Sequence, residues 1–142
     1  MLRLLAAITL AAAPALAQDD PLAEYLWEAR PILIFADSPR DPRVVAQLAQ
    51  FEAAQRDLDE RDIVVILDTE EDSALRDRFH PRDFQFVLIG KDGEVKYRKP
   101  DPVPIRELVR LIDRIPLRQQ EMRAQRALRG IAPSSDSSEL TE

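Results

Sequence analysis

The chain is 142 residues long, room for one domain of ordinary size and too short for two. Apolar residues make up 45% of it, which excludes wholesale disorder, and a formal net charge of −6 argues against nucleic acid as the main partner, because a phosphate backbone demands a basic footprint. There is no cysteine, so disulfides, thiol redox chemistry, thiolate nucleophiles and Cys-ligated metals are all excluded.

Arg3 precedes an uncharged, Ala- and Leu-rich stretch from Leu4 to Ala17, and Ala15 and Ala17 place small residues where a signal peptidase reads them. Residues 1–17 are therefore expected to be a signal peptide cleaved before Gln18. The uncharged stretch has 14 residues, short of the roughly 20 that a spanning helix needs. No later stretch is long and apolar enough to span a bilayer. The expected product is exported, periplasmic or secreted, with no stable membrane insertion after cleavage.

Residues 18–30 form an acidic lead-in in which Tyr25, Leu26 and Trp27 are expected to cover one side of the domain. The run Pro31 to Ala36 reads as a strand buried on both faces. Asp37 to Pro42 is a loop, with Asp41 as N-cap and Pro42 at the first helical position. From Arg43 to about Glu60 a helix is expected to bury Val44, Val45, Leu48, Phe51 and Leu58. Ile63 to Leu67 reads as a second buried strand, Asp68 to Asp72 as a solvated acidic loop, and Ser73 to His80 as a short helix. Phe84 to Gly90 and Glu94 to Arg98 are strands joined by a Lys91-Asp92-Gly93 turn. Ile105, Leu108, Val109, Ile112 and Ile115 mark the last core helix, which Pro116 kinks or restarts.

The order β-α-β-α-β-β-α, with a parallel βαβ unit and a terminal hairpin, predicts an α/β protein with a mixed sheet in a three-layer α/β/α arrangement. That arrangement is the thioredoxin-like fold. Its expected extent is 18–116, followed by an Arg-rich helical extension (117–130) and a disordered acidic tail (131–142). Charge is uneven: residues 18–103 carry 20 acids and 12 bases, while residues 104–130 carry 7 Arg and 3 acids.

The segment Leu88-Ile-Gly-Lys-Asp-Gly-Glu-Val-Lys96 resembles the strand–turn–strand of peroxiredoxin-like proteins. Tyr25-Leu-Trp-Glu-Ala-Arg-Pro-Ile-Leu-Ile-Phe35 and Leu111-Ile-Asp-Arg-Ile-Pro-Leu-Arg-Gln-Gln-Glu-Met-Arg123 resemble a domain-of-unknown-function family of small exported bacterial proteins. A similar domain occurs in extracellular sushi-repeat-containing matrix proteins. The resemblance covers about residues 21–123 and implies a thioredoxin- or peroxiredoxin-like fold with no established activity. A thioredoxin's redox motif sits where the first strand meets the next helix, here Asp37 to Pro42, and no thiol stands there. Pro81 is the nearest candidate for the proline that thioredoxins place before the third strand, and it is out of register.

Asp37, Ser38, Arg40 and Asp41 form a candidate ligand loop, since ligands of open α/β folds sit beyond the carboxyl ends of parallel strands. The same residues are also what turns and caps use. His80, the only histidine, is a candidate general base beside that loop or a helix-end residue. Asp68, Glu70, Glu71 and Asp72 offer carboxylates for a hard cation but lack the alternation and glycine of an EF-hand loop. Arg106, Arg110, Arg114 and Arg118 recur every four residues and are expected to align as a partner-binding face. The rival reading of that stripe is a helix face paired with its own carboxylates. No cofactor, metal site or catalytic residue is assigned.

The favoured function is a redox-inactive binding or accessory module with a protein partner. The alternatives are a cysteine-independent enzyme using Asp37, Ser38, Arg40 and His80, and a self-associating structural protein. If the leader reading holds, amino-terminal sequencing of the exported protein begins at Gln18; an intact Met1 on the exported chain would overturn it.

Overall fold

The computed structural model describes residues 20–131. Its strands are β1 (Arg30–Phe35), β2 (Ile63–Asp68), β3 (Gln85–Ile89) and β4 (Val95–Lys99). Its helices are α1 (Pro42–Ala53), α2 (Gln55–Asp59), α3 (Ala74–Phe79), α4 (Ile105–Asp113) and α5 (Pro116–Ile131). The predicted leader and acidic tail lie outside the described residues. No described helix is long and apolar enough to cross a membrane.

The sheet order is β2-β1-β3-β4, with β1 parallel to β2 and antiparallel to β3, and β3 antiparallel to β4. Alternate side chains of β1 serve two cores, as the pleat requires. Ile32, Ile34 and Ala36 join Val44, Phe51, Leu58, Phe86, Leu88, Leu108 and Ile112 beneath α1, α2 and α4. Leu33 and Phe35 join Leu75, Phe79, Val87 and Ile89 beneath α3, with Leu22 of the N-terminal turn. The result is the mixed, three-layer α/β/α arrangement expected, with β1 buried on both faces.

Several local expectations are corrected. The helix after β1 breaks at Ala54 (φ −121°) into α1 and α2. Its buried stripe is Val44, Gln47, Phe51 and Leu58, while Val45 is 55% exposed and Leu48 36% exposed. A polar residue takes the inward place because the connector to α4 needs it. Gln47 Oε1 accepts from the Val103 N–H at 2.7 Å, and its Nε2 donates to the Val103 carbonyl at 3.1 Å. β2 is an edge strand, and Ile63 to Leu67 are all only half-buried. Leu26 and Trp27 are exposed rather than covering the domain. Trp27 also sits at φ 66°, a left-handed conformation costly for a bulky residue, and its N–H donates to the Lys91 carbonyl at 2.6 Å.

The β3–β4 turn follows from its glycine. Gly93 has φ +79°, a backbone conformation that side-chain-bearing residues rarely adopt. Pro116 restarts the chain after the α4 cap at Arg114, giving α5.

Because both Gln47 bonds run to one buried peptide unit, Gln47→Leu keeps an apolar-sized side chain and still strands the Val103 N–H and C=O. It should lose about 2–4 kcal/mol in urea unfolding, against less than about 0.5 kcal/mol for Val45→Ala. Equal effects of the two substitutions would sink this account.

Candidate functional site

The loop from Asp37 to Asp41 lies at the carboxyl end of β1, where α1 begins. Its polar groups are engaged locally. The Ser38 hydroxyl accepts from the Arg40 N–H at 3.1 Å, and Asp41 Oδ1 accepts from the Arg43 N–H at 2.8 Å as the α1 cap. Arg43 then folds back, placing Nη2 2.7 Å from Asp41 Oδ2 and 2.8 Å from Asp83 Oδ1, with its guanidinium over the Phe84 ring. Hydrogen bonds from Arg43 hold both the Asp41 and the Asp83 carboxyl below the usual aspartate range. Asp37 and Arg40 are exposed, and Asp37 Oδ1 lies 3.9 Å from Arg76 Nη1.

His80 does not join this group. It caps α3 in a left-handed conformation (φ 47°), exposed, with its backbone N–H on the Arg76 carbonyl at 2.8 Å. The segment after α3 does approach the first loop, but Arg43 and Asp83 make the contact.

A second cluster covers the ends of the parallel strands. Asp68, read from the sequence as the start of a solvated loop, is the buried last residue of β2. The Ser73 hydroxyl, which caps α3, donates to Asp68 Oδ2, and Arg76 Nε lies 3.6 Å from Asp68 Oδ1. Arg76 Nη2 donates to the Ala36 carbonyl at 2.6 Å, tying the exit of β1 to α3. Glu70, Glu71 and Asp72 are exposed, and no group of three or more His, Asp or Glu is placed to hold a metal among the described residues.

The Arg stripe is divided. Arg106 and Arg110 on α4, with the cap Arg114, are exposed along a groove of about 420 Å³ that also meets Pro104, Glu107 and Leu111. The carboxylates of α4, including Glu107 at the groove, are paired with other groups. Glu107 accepts from Tyr97 Oη at 2.6 Å and lies 3.7 Å from Lys99, and Asp113 pairs with Arg61 at 2.9 Å.

Arg118 is corrected from that face: it is buried, its Nη1 3.4 Å from Glu121 and its Nε 3.6 Å from Asp113. The restart at Pro116 breaks the four-residue phase and turns Arg118 inward. Both Glu121 carboxylate oxygens also accept from Arg30 Nη2 at 3.1 Å, and Lys91 Nζ lies 3.0 Å from Oε1. Arg30, fully buried, further donates to the Arg61 carbonyl at 2.9 Å. Sequence reasoning missed this network, which spans partners 91 residues apart.

The chain matches the family described as Domain of unknown function (DUF4174) over residues 21–78 and 66–121. It belongs to that family. A reduced 2-Cys peroxiredoxin of Plasmodium vivax is similar in structure, with a TM-score of 0.56 at 13% identity, covering 70% of this chain and 84% of that one. At that identity the likeness shows the thioredoxin-like fold alone. No curated protein matches the chain in sequence. The DUF4174 chain thus keeps the fold without a cysteine anywhere in it.

Burial raises the Glu121 pKa, but the Lys91 bond and the Arg30 charge outweigh it and the net shift is downward. A carboxylate held low stabilises the fold above its unfolded pKa of about 4.3 and loses that share as pH falls through its native value. Glu121→Ala should therefore cost about 3 kcal/mol at neutral pH, the low end for breaking a buried pair, since Glu121 remains 20% exposed. The deficit should shrink below about pH 4. A constant deficit across urea melts from neutral to acid pH would contradict it.

Proposed function

We propose that this DUF4174 protein is a non-catalytic, exported binding module whose α4 face receives an acidic protein partner. The observation that carries the reading is the set Arg106, Arg110 and Arg114. Three guanidiniums share one exposed groove, and the neighbouring acids Glu107 and Asp113 are committed to Tyr97, Lys99, Arg61 and Arg118. On a chain of net charge −6, such an unbalanced basic patch steers an acidic surface to this face. Leu111 in the groove adds apolar surface for an anchoring contact.

The rival enzymatic reading needs Asp37, Ser38, Arg40 and His80 to converge. Ser38 and Asp41 are occupied by turn and cap bonds, and His80 is the exposed cap of α3. These placements support a scaffold role for that loop. The leader-like amino terminus supports export, and the absence of cysteine supports a role outside thiol redox chemistry.

The test is co-purification from a cell-envelope extract at low salt. The unaltered protein should retain a stoichiometric acidic partner, and raising salt to about 1 M, where the Debye length is about 3 Å, should release it. Arg106→Glu with Arg110→Glu should weaken retention at least about tenfold, while Asp37→Ala and His80→Ala leave it intact. Loss of retention in the latter pair, with the arginine variant unaffected, would move the function to the β1–α1 loop.

A further inference from the structure

The two edges of the sheet are treated differently by the sequence. β4 carries Lys96, Arg98 and Lys99, the charged residues that guard an edge against pairing. β2 is Ile63-Val-Val-Ile-Leu67 with no charge, proline or glycine before Asp68. Its outer side has no strand partner among the described residues. The exposure pattern points the same way. An edge strand exposed through one face would alternate, whereas Ile63 to Leu67 are half-buried without alternation, as expected when water reaches them along the edge.

The phase of the free backbone groups is fixed by the β1 ladder. Arg30 N–H donates to the Asp62 carbonyl and Ala36 N–H to the Asp68 carbonyl, at 2.7 and 3.2 Å. With Ile32 opposite Val65 and Ile34 opposite Leu67, the even-numbered residues of β2 bond inward. Ile63, Val65 and Leu67 therefore turn both N–H and C=O outward, and no turn or loop backbone bond reaches them among the described residues.

We propose that this edge pairs with β2 of a second copy of the chain, antiparallel, about a two-fold axis at Val65, giving one continuous eight-stranded sheet. Outward residues must meet outward residues, so the axis falls on a residue and not between two, and an axis at Val65, the centre of Ile63 to Leu67, overlaps the whole apolar run. At Val65 the register is self-complementary: Val65 meets Val65, Ile63 meets Leu67, and Val64 meets Ile66. These are the β-branched and aliphatic cross-strand pairs that stabilise antiparallel ladders. The side chains of Ile63, Val65 and Leu67 already lie against the α1-side core and Ile66 against the other, so both apolar layers continue across the junction. The contact is isologous and closes at two copies, because the remaining edges are the charged β4 strands. At each end of the ladder the same register opposes Asp62 to Asp68, and each of the two bodies carries a net charge of −6. The pairing is therefore strengthened by salt, the opposite of an association through the arginine stripe.

Sedimentation equilibrium of the full chain tests this at about 0.05 M and about 0.5 M salt. The expected result is a reversible dimer, tighter at the higher salt. Val65→Pro removes an outward donor without taking a bond from the β1 ladder, and proline is tolerated on an edge in that position. It should weaken the dimer about tenfold or more while leaving circular dichroism unchanged. Ile66→Pro should unfold the monomer instead. Amide exchange of the unaltered chain is the second measurement: slowing at Ile63, Val65 and Leu67 should appear only as concentration rises. A monomer at every concentration overturns the proposal, as does a dimer indifferent to Val65→Pro. Protection of those amides in a dilute monomer also overturns it, showing the edge covered within the chain.

Discussion

Arg30 places a guanidinium at the start of β1 with none of its side chain exposed. β1 is buried along its whole length, Arg30 included, so the charge at its start is withdrawn from water. An unpaired ion there would cost several kcal/mol, and no neighbour on the sheet supplies a carboxylate. The partner is Glu121, which lies on α5 and brings that helix to the end of the sheet. Glu121 is shared with Lys91 of the β3–β4 turn and with Arg118, Arg118 with Asp113 of α4, and Asp113 with Arg61 before β2. Four separate connections are thereby registered around one buried charge. The arrangement explains how a helix with little apolar surface stays docked: it is held by charge geometry, which specifies position more than it adds net stability.

The parts of this fold that a sequence displays are those governed by one element's own periodicity. β1, β3, α3 and α4 show their buried residues in runs or at helical spacing, and the structure places them so. Where the choice depends on a neighbour, the pattern is ambiguous. Five apolar residues read alike in an interior strand and at an edge, so β2 was indistinguishable from β1. Gln47 and Leu48 both fit the stripe of α1, and the peptide unit at Val103, 56 residues away, selects the polar one. Arg118 continues a four-residue spacing that holds only while the helix is unbroken, and Pro116 breaks it. The role of Asp68 was hidden in an acidic run, though a serine cap five residues later was the available sign.

The β1–α1 loop shows what the fold does with that position here. The cap of α1 is an aspartate, and an arginine two residues on clamps it to Asp83. The positive end of the helix is thus met by carboxylate from within the chain. Nearby, Arg76 covers the carbonyl of Ala36. Both features consume donors that would otherwise point at a ligand.

The same commitments account for the basic face. Charge at the head of the sheet is balanced by Glu121, and charge at its exit by Asp68, Asp41 and Asp83. The acids of α4 are paired within the chain, Glu107 with Tyr97 and Lys99 of β4 and Asp113 with Arg61 and Arg118. What remains outward on α4 is Arg106, Arg110 and Arg114. An acidic protein therefore presents a basic stripe, because its carboxylates on that helix are spent on internal order. Disturbing the inner pairs would return those acids to the surface and erase the stripe without altering any of its three arginines.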